Sequence, residues 1–116
     1  MRYMCETILD AVDAADASHT SAGIDANQME ALSVGVVASG SPVGVVKVQA
    51  SNLPIHVVPG ASDSSWVDLA SATVAVSAAG AFLIPITYIC YRWVRVVYTK
   101  TSGTGAITAH IKTISV

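Results

Sequence analysis

Tyr91-Arg-Trp-Val-Arg-Val-Val-Tyr-Thr-Lys100, followed by Thr101-Ser-Gly-Thr-Gly105 and Ala106-Ile-Thr-Ala-His-Ile-Lys-Thr-Ile114, is the stretch that decides the fold. The first block is rich in β-branched and aromatic residues and reads as one long strand, the second as a turn and the third as a return strand. Together they predict a closing hairpin and an all-β chain. Side chains alternate across a strand, so Arg92, Val94, Val96 and Tyr98 share one face while Trp93, Arg95, Val97 and Thr99 share the other. Both faces carry apolar residues, which makes this a central strand covered on both sides, or one whose second face a neighbouring subunit completes. On the return strand Ile107, Ala109 and Ile111 point one way, and Thr108, His110 and Lys112 point to solvent. Gly103 and Gly105 supply the positive φ that a hairpin turn needs.

Upstream, from Ala31 onward, short runs of Val, Ile, Thr and Ala are broken by Gly, Pro, Ser and Asn every eight to twelve residues, the pattern of a sandwich or barrel. Leu32–Ala38, Val45–Ser51, Ser65–Leu69, Ala72–Ser77 and Ala81–Ile86 read as strands, which with the hairpin gives seven or eight. Leu53–Ala61 contains Pro54 and Pro59 and reads as a loop or an irregular edge segment, since proline cannot donate to a ladder. The expected fold is therefore a jelly-roll-like antiparallel β-sandwich over residues 31–116. Residues 1–30 form a separate N-terminal arm, in which Thr7 to Ala17 has the Ala and Asp content of two or three helical turns, marginal unless docked.

At 116 residues the chain is one domain with room for a conventional core. It is 53% hydrophobic and only 12% charged, about half the usual charged share, which suits a protein whose outer faces are partly covered by neighbours. Charge is lopsided. Residues 1–30 set Arg2 against Glu6, Asp10, Asp13, Asp16, Asp25 and Glu30, whereas residues 86–116 carry Arg92, Arg95, Lys100 and Lys112 with no acid. An acidic arm and a basic face can pair within a subunit or between subunits. The basic residues are too sparse, and too little interleaved with aromatics, for a nucleic-acid binder.

No constellation points to catalysis or to a cofactor. Asp10, Asp13, Asp16 and His19 recur at three-residue steps, which on a helix fan around half the cylinder and do not converge on a metal. His19, His56 and His110 have no ligands at zinc spacing. No Ser sits in Gly-x-Ser-x-Gly, and Ser102-Gly-Thr-Gly105 lacks the Gly-Lys-Ser/Thr ending of a phosphate loop. Cys5 and Cys90 form neither a disulfide framework nor a metal motif, and Cys90 reads as a small buried apolar residue. Trp66 and Trp93, in a chain with one Phe, are the large core pieces, each burying on the order of 200 Å². Arg95, if inside, must meet Asp68, Asp63 or backbone carbonyls, because an unpaired buried guanidinium costs several kcal/mol. The N-terminus, with Glu6 and Asp10, is no secretory signal, and the chain is expected to fold in a reducing cytoplasm. Leu69 to Tyr91 is uncharged and long enough to span a bilayer, but Gly80, Pro85 and its short alternating pieces argue for strands.

Five pieces occur in an order that resembles small β-sandwich proteins of bacteriophage virions, of the capsid-decoration or head-fibre type. They are Val48-Gln-Ala-Ser-Asn52, Ser65-Trp-Val-Asp-Leu69, Val74-Ala-Val-Ser-Ala-Ala-Gly-Ala-Phe82, Tyr91-Arg-Trp-Val-Arg-Val-Val-Tyr-Thr99 and Ser102-Gly-Thr-Gly-Ala-Ile-Thr-Ala109. The likeness covers about residues 31–116. It departs from the family pattern at Leu53-Pro54 and the inserted 56–61 segment, an individual loop and so a candidate contact surface. The resemblance implies a non-enzymatic virion structural protein, made in the host cytoplasm, that binds the major capsid protein or neighbouring copies as a homo-oligomer. Ile8, Leu9 and Val12 of the arm and Ile55, His56 and Val57 of the loop are the candidate contact residues. Trp66, Trp93, Arg95, Tyr98, Gly103 and Gly105 are the structural signature. Two other readings are a receptor- or carbohydrate-binding module of a fibre or vertex, and a small membrane-associated virion protein built on Leu69 to Tyr91.

Overall fold

Alternation decides where each strand lies. Leu32, Val34, Val36 and Ala38 are buried while Ser33, Gly35 and Val37 between them are not, and Ile107, Ala109, Ile111 and Thr113 repeat the pattern. Two such half-apolar sheets can only hide their inner faces against each other. The computed structural model describes residues 2–14, 18–27, 29–53, 59–87 and 89–115, and all of its regular structure is β. The strands are β1 (Arg2–Asp13), β2 (Ser18–Thr20), β3 (Ile24–Asp25), β4 (Met29–Gly40), β5 (Val43–Ser51), β6 (Val67–Val76), β7 (Gly80–Ile86), β8 (Trp93–Ser102) and β9 (Gly105–Ser115).

One sheet has the order β1-β9-β4-β7 and the other β2-β8-β5-β6, with β3 also on β8, every pairing antiparallel. Counting β2 and β3 as one interrupted strand, the chain changes sheet at every connection except β5 to β6. That is the jelly roll, two interleaved Greek keys. Val34, Val36, Val46, Val48, Val94, Val96, Tyr98, Ile107 and Ile111 fill the space between the sheets.

The expected closing hairpin is not one. β8 pairs with β2, β3 and β5, and β9 with β1 and β4, so the two strands lie in opposite sheets. The turn between them carries the chain across the sandwich, and the Gly40-to-Gly44 turn between β4 and β5 does the same alongside it. The two corners are joined by a Ser41 N–H bond to the Thr104 carbonyl at 2.9 Å. Gly103 and Gly105 have φ of +83° and +136°. A Cβ at either would lie 2.1 or 2.0 Å from the carbonyl oxygen of Ser41 or Ser39. Sequence reasoning finds the turn and its glycines but not the partner, because a central strand with both edges occupied satisfies its ladder from distant segments.

The first residues differ from expectation in a second way. Arg2–Asp13 forms a strand and no helix, pairing antiparallel with β9 from Arg2↔Ser115 to Asp13↔Ala106. Ala-rich helix propensity is worth little over so short a segment, whereas β9 offers a full ladder. Two register shifts and the positive φ of Ala11 (47°) bend β1 around the sandwich. Downstream, Ser65–Leu69 and Ala72–Ser77 are not separate strands. Trp66 precedes β6, which runs unbroken to Val76 and absorbs extra residues in a bulge at Ser71 (φ 59°). Cys90 is exposed, as is Cys5, because the segment between β7 and β8 runs over the surface.

Candidate functional site

The outer face of β8 is covered by the chain itself. Trp93, Arg95 and Val97 point away from the sandwich core, yet all three are buried. The Trp93 indole N–H donates to the Leu53 carbonyl at 3.2 Å, fixing the start of the β5–β6 loop to this face, and within that loop the Trp66 indole N–H donates to the Gly60 carbonyl at 2.9 Å. Arg95, 8% exposed, donates Nε to Gln49 Oε1 at 2.8 Å and Nη1 to the Ala61 carbonyl at 3.0 Å, with Trp66 stacked over it. Burial lowers its pKa, but a guanidinium remains charged at any ordinary pH. Asp68 reaches Arg95 only through Gln49, whose Nε2 donates to Asp68 Oδ1 at 2.7 Å, and Asp63 instead accepts the Ser65 N–H at 2.8 Å. Of the expected partners, a backbone carbonyl is the one met directly.

The remaining sequence candidates are scattered by the fold. Leu9 is buried in the sandwich, and Ile8 and Val12 are half-buried against its core. Ile55, His56 and Val57 lie outside the described residues. Tyr98 is fully buried between the sheets, and Gly103 and Gly105 form the corner. Among the described residues no three His, Cys, Asp or Glu side chains come together as a metal site.

What the fold does bring together is the uncharged segment. From Leu69 to Tyr91 the sequence has no Asp, Glu, Lys or Arg, and it supplies most of β6 and all of β7. β6 is an edge of the five-stranded sheet and β7 an edge of the four-stranded one, and the two border the same open side of the sandwich. Leu83 of β7 is 75% exposed and Val67 of β6 63%, while Val37 of β4, paired with Ala81 of β7, is 48% exposed.

Three shallow clefts run around this side and share walls. One of about 330 Å³ lies on the outer face of the four-stranded sheet between Ala31, Pro85, Thr87 and Lys112. A second, of about 340 Å³, joins Pro85 and Thr87 to Leu69 and Tyr91 across the open edge. The third, of about 420 Å³, continues from Leu69 and Tyr91 to Asn52, Ser65 and Asp68. Charge is confined to the two ends of this belt, at Lys112 and at the Asp68–Lys47 pair, whose Nζ and Oδ2 are 3.2 Å apart. The hydrogen bond from Gln49, and then that from Lys47, holds the Asp68 carboxyl below the usual carboxylate range. Such a surface has the chemistry of association. Its sequence signal was the missing charge, legible from the start but readable as a site only once β6 and β7 are both known to be edges. The segment forms strands, and among the described residues no helix is long and apolar enough to cross a membrane.

No protein-family model matches the sequence, and no curated protein matches it. Solved structures do. SPBc2 prophage-derived protein YomS superposes with a TM-score of 0.63 at 12% identity, over 98% of this chain and 94% of that one. The fold is shared with prophage-derived proteins. The PBSX exported protein XepA gives a TM-score of 0.65 at 15% identity over 97% of this chain, which corresponds to only 37% of XepA. A subunit of the Bacillus endospore appendages, described as disulfide-linked pili, gives 0.53 at 10% identity, over 98% and 88% of the two chains. At such identities the likeness is one of fold, and it agrees with the all-β sandwich read from the sequence.

Proposed function

We propose that the protein is a non-enzymatic structural subunit of a virion, a decoration or accessory protein that binds the capsid lattice or its own copies. The observation that carries this reading is the uncharged side of the sandwich, with Leu83 exposed on edge strand β7, Val67 on edge strand β6 and Val37 on the neighbouring β4. Monomeric proteins rarely leave a long uncharged edge such as β7 open, and a subunit surrounded by neighbours has no need to close it. The shared fold with phage-derived and appendage proteins supports the same reading. It is made in the host cytoplasm and resides in the particle. The test is quantitative mass spectrometry of purified particles. Hundreds of copies per particle are expected, and absence from particles would overturn the assignment.

A fibre or vertex module that binds carbohydrate is the second reading. It is favoured by the cleft where Tyr91, half-buried, stands beside Asn52, Ser65 and Asp68, an aromatic face next to polar groups. Glycan-array binding abolished by Tyr91→Ala, with a dozen or fewer copies per particle, would establish it in place of the first.

A further inference from the structure

We propose that β7 is the edge through which two copies of this chain pair, antiparallel about a two-fold axis, so that two four-stranded sheets become one of eight strands. The proposal rests on the reading of a self-associating structural subunit and names the surface it would use. An edge strand presents unpaired N–H and C=O groups, and proteins that must stay apart block them with charge, bulges, proline or brevity.

Three of the four edges are blocked in this way. β1 carries exposed Glu6, Asp10 and Asp13 and is broken by two register shifts. β2 and β3 are only three and two residues long. β6 has the Ser71 bulge, with Asp68 at its start. β7 differs: its register with β4 is unbroken from Leu32↔Ile86 to Ala38↔Gly80, it holds no charge, and its single guard is Pro85 near one end. Gly80 to Ile84 is therefore a straight, open template.

Charge selects the occupant. Two β1 edges brought together would set Glu6, Asp10 and Asp13 against their own copies, whereas two β7 edges meet with no ionic repulsion. An antiparallel pair about a two-fold axis is also self-complementary in its backbone groups. With the axis near Phe82 and Leu83, Leu83 of one copy comes beside Ala81 and Leu83 of the other, and Val37 extends the apolar contact on the outer face. A contact of this kind falls below the roughly 1,200–2,000 Å² of a standard interface, so the pair dissociates at micromolar concentrations in free solution and is held more firmly in an assembly.

Sedimentation velocity and native mass spectrometry of the whole chain, over about 1–200 μM to bracket that range, test this. The expected species is twice the 11.9 kDa chain, weakened at least tenfold by Leu83→Lys and unchanged by Glu6→Lys on the opposite edge. Leu83 is exposed, so the variant should keep the wild-type circular dichroism and melting temperature, which are measured alongside. A monomer throughout the range, a dimer that survives Leu83→Lys, or equal loss in Glu6→Lys overturns the proposal. Particle association is scored separately with the same variants. Chains that join particles without pairing sink the edge contact alone, and chains that pair but never join particles sink the virion reading alone.

Discussion

The guanidinium of Arg95 lies over the indole of Trp66, its central carbon 4.4 Å from the ring centroid. The stack is closed by Gln49 on one side and the Ala61 carbonyl on the other, so this cation ties the β5–β6 loop to the sheet alongside the Trp93–Leu53 hydrogen bond. Replacing it with Met keeps the bulk but leaves Gln49 Oε1 and the Ala61 carbonyl without their donor. Arg95→Met should lose about 1–3 kcal/mol of stability in urea unfolding, with a red shift of tryptophan fluorescence as Trp66 opens to water. Arg95→Lys should lose a comparable amount, since an ammonium neither stacks nor forks.

The corner glycines make a sharper test. Gly103→Ala and Gly105→Ala should each destabilise by more than about 2 kcal/mol, because each sets a Cβ against a carbonyl oxygen at positive φ. Gly60→Ala, whose Cβ meets nothing within 4 Å, should stay within about 0.5 kcal/mol of wild type. Thermal melts of the three variants decide it.

Acid should weaken the fold through two carboxylates. The backbone N–H of Ser65, and then its hydroxyl, lowers the Asp63 pKa, and Gln49 followed by Lys47 lowers that of Asp68, both from an ordinary value of 3.8. A folded-state pKa below the unfolded one gives stability that is present above about pH 4 and lost as pH falls through the depressed values. Melting temperature should therefore drop below about pH 4, and Asp68→Asn should flatten that drop while lowering the neutral-pH plateau slightly.

Tyr98 predicts the opposite sign. Its hydroxyl is buried and has no hydrogen-bond partner among the described residues, and burial raises its pKa above the ordinary 10.0. Removing an unsatisfied buried hydroxyl relieves a desolvation cost, so Tyr98→Phe should be neutral or stabilising by up to about 1 kcal/mol. The wild type should also lose stability above about pH 10, where the unfolded phenol ionises and the buried one resists, and Tyr98→Phe should lessen that loss.

Much of this fold is legible in the sequence. The two-residue alternation of Ile107, Ala109 and Ile111 and the doubly apolar face of Val94 to Val97 place β9 and β8 correctly, and the glycines mark the corners. Pairing is not legible, because a two-residue period states which face is buried and nothing about which strand lies alongside. So the closing strands read as a hairpin, and the Ala-rich start reads as a helix although β9 was waiting for a partner 90 residues or more away. Of the candidate site, the missing charge between Leu69 and Tyr91 was visible. That it falls on two edges facing the same way follows from topology, which no local pattern encodes.

Pairing the first strand with the last also fixes a timetable. During synthesis β1 emerges with its partner still about 100 residues behind, a wait of roughly 5–20 s at 5–20 residues per second. Its acids and bulges, which deter lateral pairing once folded, would keep the nascent segment from seizing another chain in that interval. β7 emerges after its partner β4 and after the other edge strands β1, β2, β3 and β6, so the least guarded edge is the last of the four to be exposed.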